Sequence, residues 1–175
     1  MKDALSIFSL SFLFFPIASY ARPVTITDVS TITLAFSPED SGEKLLIDTI
    51  EKAQSEVLVS AFHFTNTKIA DALIRKKEAG IRVVVLLDRE HRKAKKSVLA
   101  QLEKAGIEVR IDEQHHTAHN KVMIIDQRFV TTGSYNFNSN AEKKNAENLL
   151  CIDSIALARQ YRKNWLVHYV HATKW

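Results

Sequence analysis

The order of apolar and amphipathic segments most constrains how this chain folds. Residues 56–64 (EVLVSAFHF) and 81–88 (IRVVVLLD) are nearly unbroken apolar runs, which is typical of strands buried on both faces of a sheet. The segment between them, NTKIADALIRKKEAG, has helical periodicity and stops at Gly80, a residue type that commonly ends helices. A strand, a helix and a second strand in this order predict an α/β fold.

Further strands and helices are predicted on both sides of this unit. Apolar patterning predicts strands over residues 29–37, 107–112 and 147–153, and a hairpin of residues 121–126 and 128–133 across Gln127. Helices are predicted over residues 40–54, 95–106 and 154–172, the first with Asp40 as its N-cap and Glu43 three residues on. We therefore expect one α/β domain, a mixed β-sheet flanked by helices on both faces.

Composition limits the class of protein and its partners. The 175 residues are 46% hydrophobic and 25% charged, which excludes a disordered or fibrous chain and suits a single domain over residues 22–175. The net charge of +4 and the pI near 9.2 fit a polyanionic partner, either nucleic acid or anionic lipid. The one cysteine, Cys151, lies in an apolar strand-like run, so we expect it to be a buried free thiol.

The N-terminus has the features of a signal peptide. Residues 4–17 are apolar, and small residues at Ser19 and Ala21 follow. This run of 14 residues is shorter than the ~20 that a membrane-spanning helix needs. We expect residues 1–21 to be cleaved after Ala21 and the protein to be exported, to the periplasm or the medium. A retained membrane anchor and a buried helix are the alternatives.

Residues 117–140 (TAHNKVMIIDQRFVTTGSYNFNSN) carry side chains suited to phosphate chemistry. His119 and Lys121 lie two apart at the entry to a predicted strand, so both point to the same face. Asp126 closes that strand, and the second strand of the hairpin delivers Ser134 and Asn136 to the same region as His119. Histidine is a nucleophile or proton carrier near neutral pH, while lysine, serine and asparagine bind anionic oxygens.

The spacing His119-x-Lys121-x4-Asp126-x6-Gly133-Ser134-x-Asn136 resembles the HKD motif of the phospholipase D superfamily. The length, the single motif and the N-terminus look most like its small bacterial endonucleases of the Nuc type. The resemblance implies a phosphodiesterase that needs no metal or other cofactor and forms a phosphohistidine. The residues it assigns to the catalytic site are His119, Lys121, Asp126, Ser134, Asn136 and Glu147.

Each of these residues has an expected role. The resemblance makes His119 the nucleophile and proton carrier, and it makes Lys121 and Asn136 ligands of the phosphate oxygens. Ser134 positions the phosphate and Glu147 orients the imidazole, whereas Asp126 is expected to be a structural partner that does not touch substrate. Active sites in this superfamily use two motifs, and the chain has one, so we expect a homodimer that shares one site.

Several alternatives remain open at this stage. His115, His116 and His119 offer a rival set of metal ligands. The basic segment at residues 88–97 is either a phosphate-contact patch or a solvated helix face, and Phe62, Phe64 and Phe137 are expected to be core or rim residues. Three functions compete: a non-specific endonuclease on DNA or RNA, a phospholipid hydrolase or transphosphatidylase, and a non-catalytic nucleic-acid-binding module. The terminal helix bears on the lipid alternative, and we expect its aromatic and apolar stripe to dock onto the sheet or across the dimer: Leu157, Tyr161, Trp165 and Tyr169.

Overall fold

One mixed sheet organises the computed structural model, which describes Ala21, residues 23–94 and residues 97–175. Its eight strands are β1 (Thr31–Ser37), β2 (Glu56–Ala61), β3 (Arg82–Asp88), β4 (Glu108–Asp112), β5 (Lys121–Ile125), β6 (Phe129–Gly133), β7 (Glu147–Asp153) and β8 (Thr173–Lys174). The helices are α1 (Gly42–Glu51), α2 (Thr67–Glu78), α3 (Leu99–Lys104), α4 (Ser139–Lys143) and α5 (Ile155–His171), with a 3-10 helix at Arg89–Arg92.

The strand order is β1-β7-β6-β5-β2-β3-β4-β8, which places β2 and β5 at the centre. Strands β2, β3 and β4 run parallel to one another, and each is joined to the next by a crossover connection that contains a helix. The other neighbouring strands are antiparallel. The C-terminal ends of β2, β3 and β4 therefore share one edge of the sheet with the start of β5. This mixed sheet is the one predicted from sequence.

Helices cover both faces of the sheet, which confirms the predicted layers. On one face, α1, α2 and α3 pack onto the larger core through apolar residues such as Leu46, Leu73 and Leu102. On the other face, α5 packs through Ala158 and Trp165, and the Trp165 indole donates a hydrogen bond to the Val59 carbonyl at 3.0 Å. Leu157, Tyr161 and Tyr169 also pack here, so the predicted stripe of this helix docks onto the sheet.

Several boundaries differ from the sequence prediction. Ser41, not Asp40, caps α1: its hydroxyl accepts from the Lys44 amide at 3.1 Å, while Asp40 accepts from the Phe36 amide at 3.0 Å. Helix α3 starts at Leu99, whose amide donates to the Ser97 hydroxyl, and residues 95 and 96 of the predicted helix lie outside the described residues. Strand β2 ends at Ala61, and the short elements α4 and β8 had no periodic pattern to predict them.

Two further predictions concern the N-terminus and Cys151. The predicted signal peptide lies outside the described residues apart from Ala21, so it stays a prediction. Among the helices of the described part, none is long and apolar enough to span a bilayer. Cys151 is a buried free thiol on β7, as predicted.

Candidate active site

His119 and Lys121 meet at the start of β5. The loop before the strand is fixed by the Ala118 amide, which donates to the buried Asp88 carboxylate at 2.6 Å. In the same loop, the Asn120 carbonyl accepts a hydrogen bond from the Phe62 amide at 2.8 Å. The Lys121 ammonium lies 3.2 Å from both ring nitrogens of His119. The two side chains therefore converge, as their two-residue spacing predicts.

The hairpin brings Ser134 and Asn136 to the same edge of the sheet. Strands β5 and β6 are antiparallel, so the end of β6 lies beside the beginning of β5. The Ser134 hydroxyl donates to Glu147 at 2.5 Å and accepts from the Asn148 amide at 3.1 Å. The side-chain oxygen of Asn136 is buried and has no hydrogen-bond partner among the described residues. A buried polar atom without a partner is costly, but an amide oxygen only accepts hydrogen bonds, so the Asn136 side-chain nitrogen is the atom that could donate to a phosphate oxygen.

Glu147 opens β7 and faces this group. Its carboxylate accepts from Ser134 and, at 2.9 Å, from the Asn145 side-chain amide. Burial lowers the pKa of Lys121, and the negative charge of Glu147 opposes part of that shift. Within the described residues, no hydrogen bond joins Glu147 to His119. The expectation that it orients the imidazole therefore stays a prediction.

The electrostatics favour an uncharged imidazole. Burial lowers the pKa of His119, and the positive charges of Lys121 and His63 lower it further, against a smaller opposing effect of Asp88. Lys121 is only 6% exposed, and burial lowers the pKa of its ammonium. A neutral imidazole keeps a free lone pair for attack on phosphorus, while the adjacent cation can bind a phosphate oxygen.

Phe62 and His63 lie at the site; sequence reasoning expected Phe62 to be a core or rim residue and gave His63 no role. They follow β2, whose last residue, Ala61, pairs with Lys121. The centroid of the Phe62 ring lies 4.4 Å from the centroid of the His119 ring. The same centroid lies 5.0 Å from the Lys121 Nζ atom. Phe62 is thus a rim residue, whereas Phe64 and Phe137 pack edge to face in the core. The sequence signal that could have identified Phe62 and His63 is that they directly follow a central strand, β2.

Asp126 lies at the far end of β5 from His119 and Lys121. Its carboxylate accepts from the amides of Gln54, Ser55 and Glu56 and from the Ser55 hydroxyl, at 2.7–2.9 Å. Burial would raise its pKa, but these hydrogen bonds outweigh burial and lower it. The geometry is that of a structural anchor.

The rival metal set of His115, His116 and His119 is not assembled, so that hypothesis is wrong. His115 contacts Asp112, His116 contacts Thr117, and His119 contacts Lys121. The three imidazoles sit on an irregular loop, where spacing in sequence does not bring ring nitrogens to a common point.

The described part of the basic segment, residues 88–94 and Ser97, is only partly available to a polyanion, and Lys95 and Lys96 lie outside the described residues. His91 is buried and bonds Ser97 and the Phe62 carbonyl, and Arg92 pairs with Glu113 at 2.7 Å. Arg89 and Lys93 are exposed. A groove of about 340 Å³ lies beside the site, lined by His63, Thr65, Glu90, His91, Lys93 and Ala94.

Known proteins resemble this chain over most of its length. The model of the family described as "Cardiolipin synthase, PLD-like domain" matches residues 46–166. "Phospholipase D" of Rickettsia conorii is 40% identical over 78% of this chain and 68% of its own length. "Mitochondrial cardiolipin hydrolase" of Xenopus laevis is 28% identical over 87% of this chain and 73% of its own.

The fold has a close counterpart among solved structures. The crystal structure of Nuc, a phospholipase D family member from Salmonella typhimurium, superposes with a TM-score of 0.79. Its sequence is 30% identical, and the match covers 83% of this chain and 97% of Nuc.

Proposed function

Because the chain belongs to the phospholipase D superfamily, a family of phosphodiesterases, we propose that it is a metal-independent, non-specific endonuclease that cuts DNA. We extend the proposal to RNA. The observation that carries it is the approach of the His119 imidazole to the nearly buried ammonium of Lys121, 3.2 Å away. The similarity to Nuc supports nucleic acid over lipid, since Nuc matches over nearly its whole length.

The proposed chemistry has two steps. A neutral His119 attacks phosphorus, so that a P–N bond forms and the P–O bond to the leaving group breaks. The second imidazole of the shared site gives its proton to the leaving oxygen and then takes one from water, whose oxygen displaces the imidazole from phosphorus. Lys121 and Asn136 bind the non-bridging oxygens, and Ser134 positions the phosphate. Glu147 holds Ser134 in place and would reach an imidazole once substrate is bound.

A homodimer supplies the second imidazole. On edge strand β1, Ile32, Leu34 and Phe36 are 51%, 52% and 53% exposed and share one face of the strand. Phe36 pairs with Asn148 of β7, so this apolar face extends to the end of the sheet at which Ser134 and Glu147 lie. An apolar patch of this kind is typical of a protein interface. A second copy of the chain is the partner that the single motif requires.

Mixing wild-type protein with His119→Ala tests the shared site. If each site needs two intact histidines, random exchange of subunits at equal amounts leaves about one quarter of the dimers active, and activity per wild-type chain falls by about half. Independent sites would leave activity per wild-type chain unchanged. An active monomer in sedimentation would also refute the model.

The primary test is cleavage of plasmid DNA and of RNA in excess EDTA. We expect wild-type protein to cut, His119→Ala to be inactive, and His116→Ala, an exposed neighbour, to cut as wild type does. Cleavage that EDTA abolishes and Mg²⁺ restores would contradict the proposal.

Phospholipid hydrolysis is the second candidate. It is favoured by the relatives that are named phospholipase D and mitochondrial cardiolipin hydrolase. The same proteins are assayed on vesicles that contain cardiolipin. Hydrolysis that depends on His119, with neither nucleic acid cut, would replace the nuclease proposal with this one.

Export completes the proposal. Residues 1–21 would direct the chain out of the cytoplasm and be removed after Ala21, leaving residues 22–175 as the working domain. Intact mass of the protein recovered outside the cytoplasm tests this, and a retained Met1 in a membrane fraction would contradict it.

A further inference from the structure

A second cluster of titratable side chains lies at the end of β4. Asp112 is the last residue of that strand, His115 follows in the loop that leads to β5, and His168 and His171 come from the last turn of α5. One nitrogen or oxygen atom of each residue lies within 4.8 Å of those of the others. His168 and His171 are three residues apart, so they share one face of the helix.

Three imidazole nitrogens converge on one carboxylate oxygen. The Asp112 Oδ2 atom lies 2.8 Å from His168 Nδ1, 3.0 Å from His115 Nδ1 and 3.2 Å from His171 Nε2. In a tetrahedral zinc site, bonds of about 2.0–2.1 Å put neighbouring ligand atoms about 3.3 Å apart. Three edges of such a tetrahedron are therefore nearly formed, and an ion would draw the imidazoles towards one another.

The carboxylate is fixed before any ion binds. The Asp112 side chain is only 2% exposed, and its Oδ1 atom accepts from the amides of Gln114 and His115 at 3.2 Å each. These bonds leave Oδ2 facing the imidazoles. Orientation of a ligand by neighbouring hydrogen bonds is a general property of protein metal sites.

The hydrogen bonding of His171 is incomplete. Its Nε2 atom is buried, and although it lies 3.2 Å from Asp112 it has no hydrogen bond in the described part of the chain. One carboxylate oxygen already contacts the other two imidazoles and cannot align with a third. A buried nitrogen without a partner costs free energy, and a cation between the four groups would remove that cost.

We propose that Asp112, His115, His168 and His171 bind one zinc ion per chain. Imidazole and carboxylate donors suit zinc, and four protein ligands make a closed, structural site. The ion would join the end of α5 to the loop between β4 and β5. His119 lies four residues after His115 in that loop, so zinc would stabilise the segment that carries the catalytic imidazole while taking no part in the reaction.

The test begins with protein that has been stripped by a chelator and dialysed. Isothermal titration with Zn²⁺ should show one site per chain, and Co²⁺ should give the visible absorption of a tetrahedral complex. At a zinc concentration 100-fold above Kd, Tm should rise by about 5–10 °C. The Co²⁺ spectrum uses unaltered protein, so it does not depend on any variant folding.

Matched variants locate the site. His168→Gln with His171→Gln should weaken zinc binding by more than the 10–100-fold that loss of a supporting group costs. His116→Gln, a neighbour that contacts Thr117 instead, should bind zinc as wild type does. His119→Ala should also bind zinc, so the result does not depend on whether the protein is a nuclease.

Three outcomes would overturn the proposal. They are no stoichiometric zinc binding by stripped protein, equal binding by the double variant, and loss of binding in His116→Gln. The first would identify the cluster as a hydrogen-bond network around Asp112, and the other two would place the zinc ion elsewhere. If the site is structural, EDTA should lower Tm yet leave cleavage intact at temperatures below the new transition.

Discussion

Replacing Asp126 should destabilise the protein and leave its chemistry nearly intact, although the residue belongs to the motif. Asp126→Ala removes four hydrogen bonds that join the β5–β6 turn to the start of β2. We take about 0.5 kcal/mol for each of the three exposed bonds and about 1 kcal/mol for the partly buried one to Glu56, about 2.5 kcal/mol together. Asp126 has φ 52°, where alanine costs about 1 kcal/mol more.

The expected loss of about 3.5 kcal/mol corresponds to a fall in Tm of about 7–14 °C for a domain of this size. Asp126→Asn is the matched control. Asparagine tolerates the left-handed turn and keeps one acceptor oxygen, so it should cost about 1 kcal/mol. Because hydrogen bonds lower the pKa of Asp126, its stabilising effect is fully present above the ordinary carboxyl pKa and is lost as pH falls through the lowered value.

The assay pairs thermal unfolding with kcat/KM at 25 °C. Asp126 lies about 17 Å along β5 from Lys121, so neither variant displaces the reacting groups. We expect kcat/KM to change less than 10-fold, against the roughly 100-fold that a 1 Å misplacement costs. A large loss of kcat/KM in Asp126→Asn with a near-normal Tm would refute the structural role, and so would an unchanged Tm in Asp126→Ala.

Three further predictions follow from described contacts. The acid limb of the kcat/KM profile should lie below pH 6.5, because attack needs a neutral His119 and the pKa of that imidazole is lowered. His63→Gln should move the limb to higher pH, because it removes the electrostatic interaction with His63 that helps to lower this pKa; an unchanged or downward-shifted limb would contradict this. Gly133→Ala should destabilise by about 1–3 kcal/mol in denaturant unfolding, because a Cβ there would lie 2.2 Å from the Asn148 carbonyl at φ 156°. Cys151 should react with a thiol reagent only when the protein unfolds, and rapid labelling of native protein would show that β7 opens.

Local patterns predicted most of the elements and the meeting of His119 with Lys121. The runs that became β2, β3 and α2 have periods that a short window detects, and the convergence of His119 and Lys121 depends only on the alternation of a strand. The α1 cap was misassigned because Asp40 and Ser41 are both good capping residues, and the choice depends on tertiary contacts: the Ser41 hydroxyl also donates to Glu142 at 2.6 Å.

Contacts between distant segments were beyond these patterns. The approach of His168 and His171 to Asp112 depends on how α5 crosses the sheet, and no spacing in sequence encodes that crossing. Phe62 reached the site because β2 lies beside β5, a pairing that a list of strands leaves undetermined. Loop residues such as His115 and His116 were grouped by proximity in sequence, which predicts contact poorly outside regular structure.

The pairing of β1 with β7 has a consequence for synthesis of the chain. Residues Thr31–Ser37 take their strand hydrogen bonds from residues 147–153, which the ribosome adds more than a hundred residues later. Until then, Ile32, Leu34 and Phe36 lie on a strand with two open edges. Such long-range pairing is slow, and it leaves apolar segments that tend to aggregate exposed to solvent in the meantime. The nascent chain should therefore rely on chaperones, and the yield of folded protein should fall as the expression rate rises.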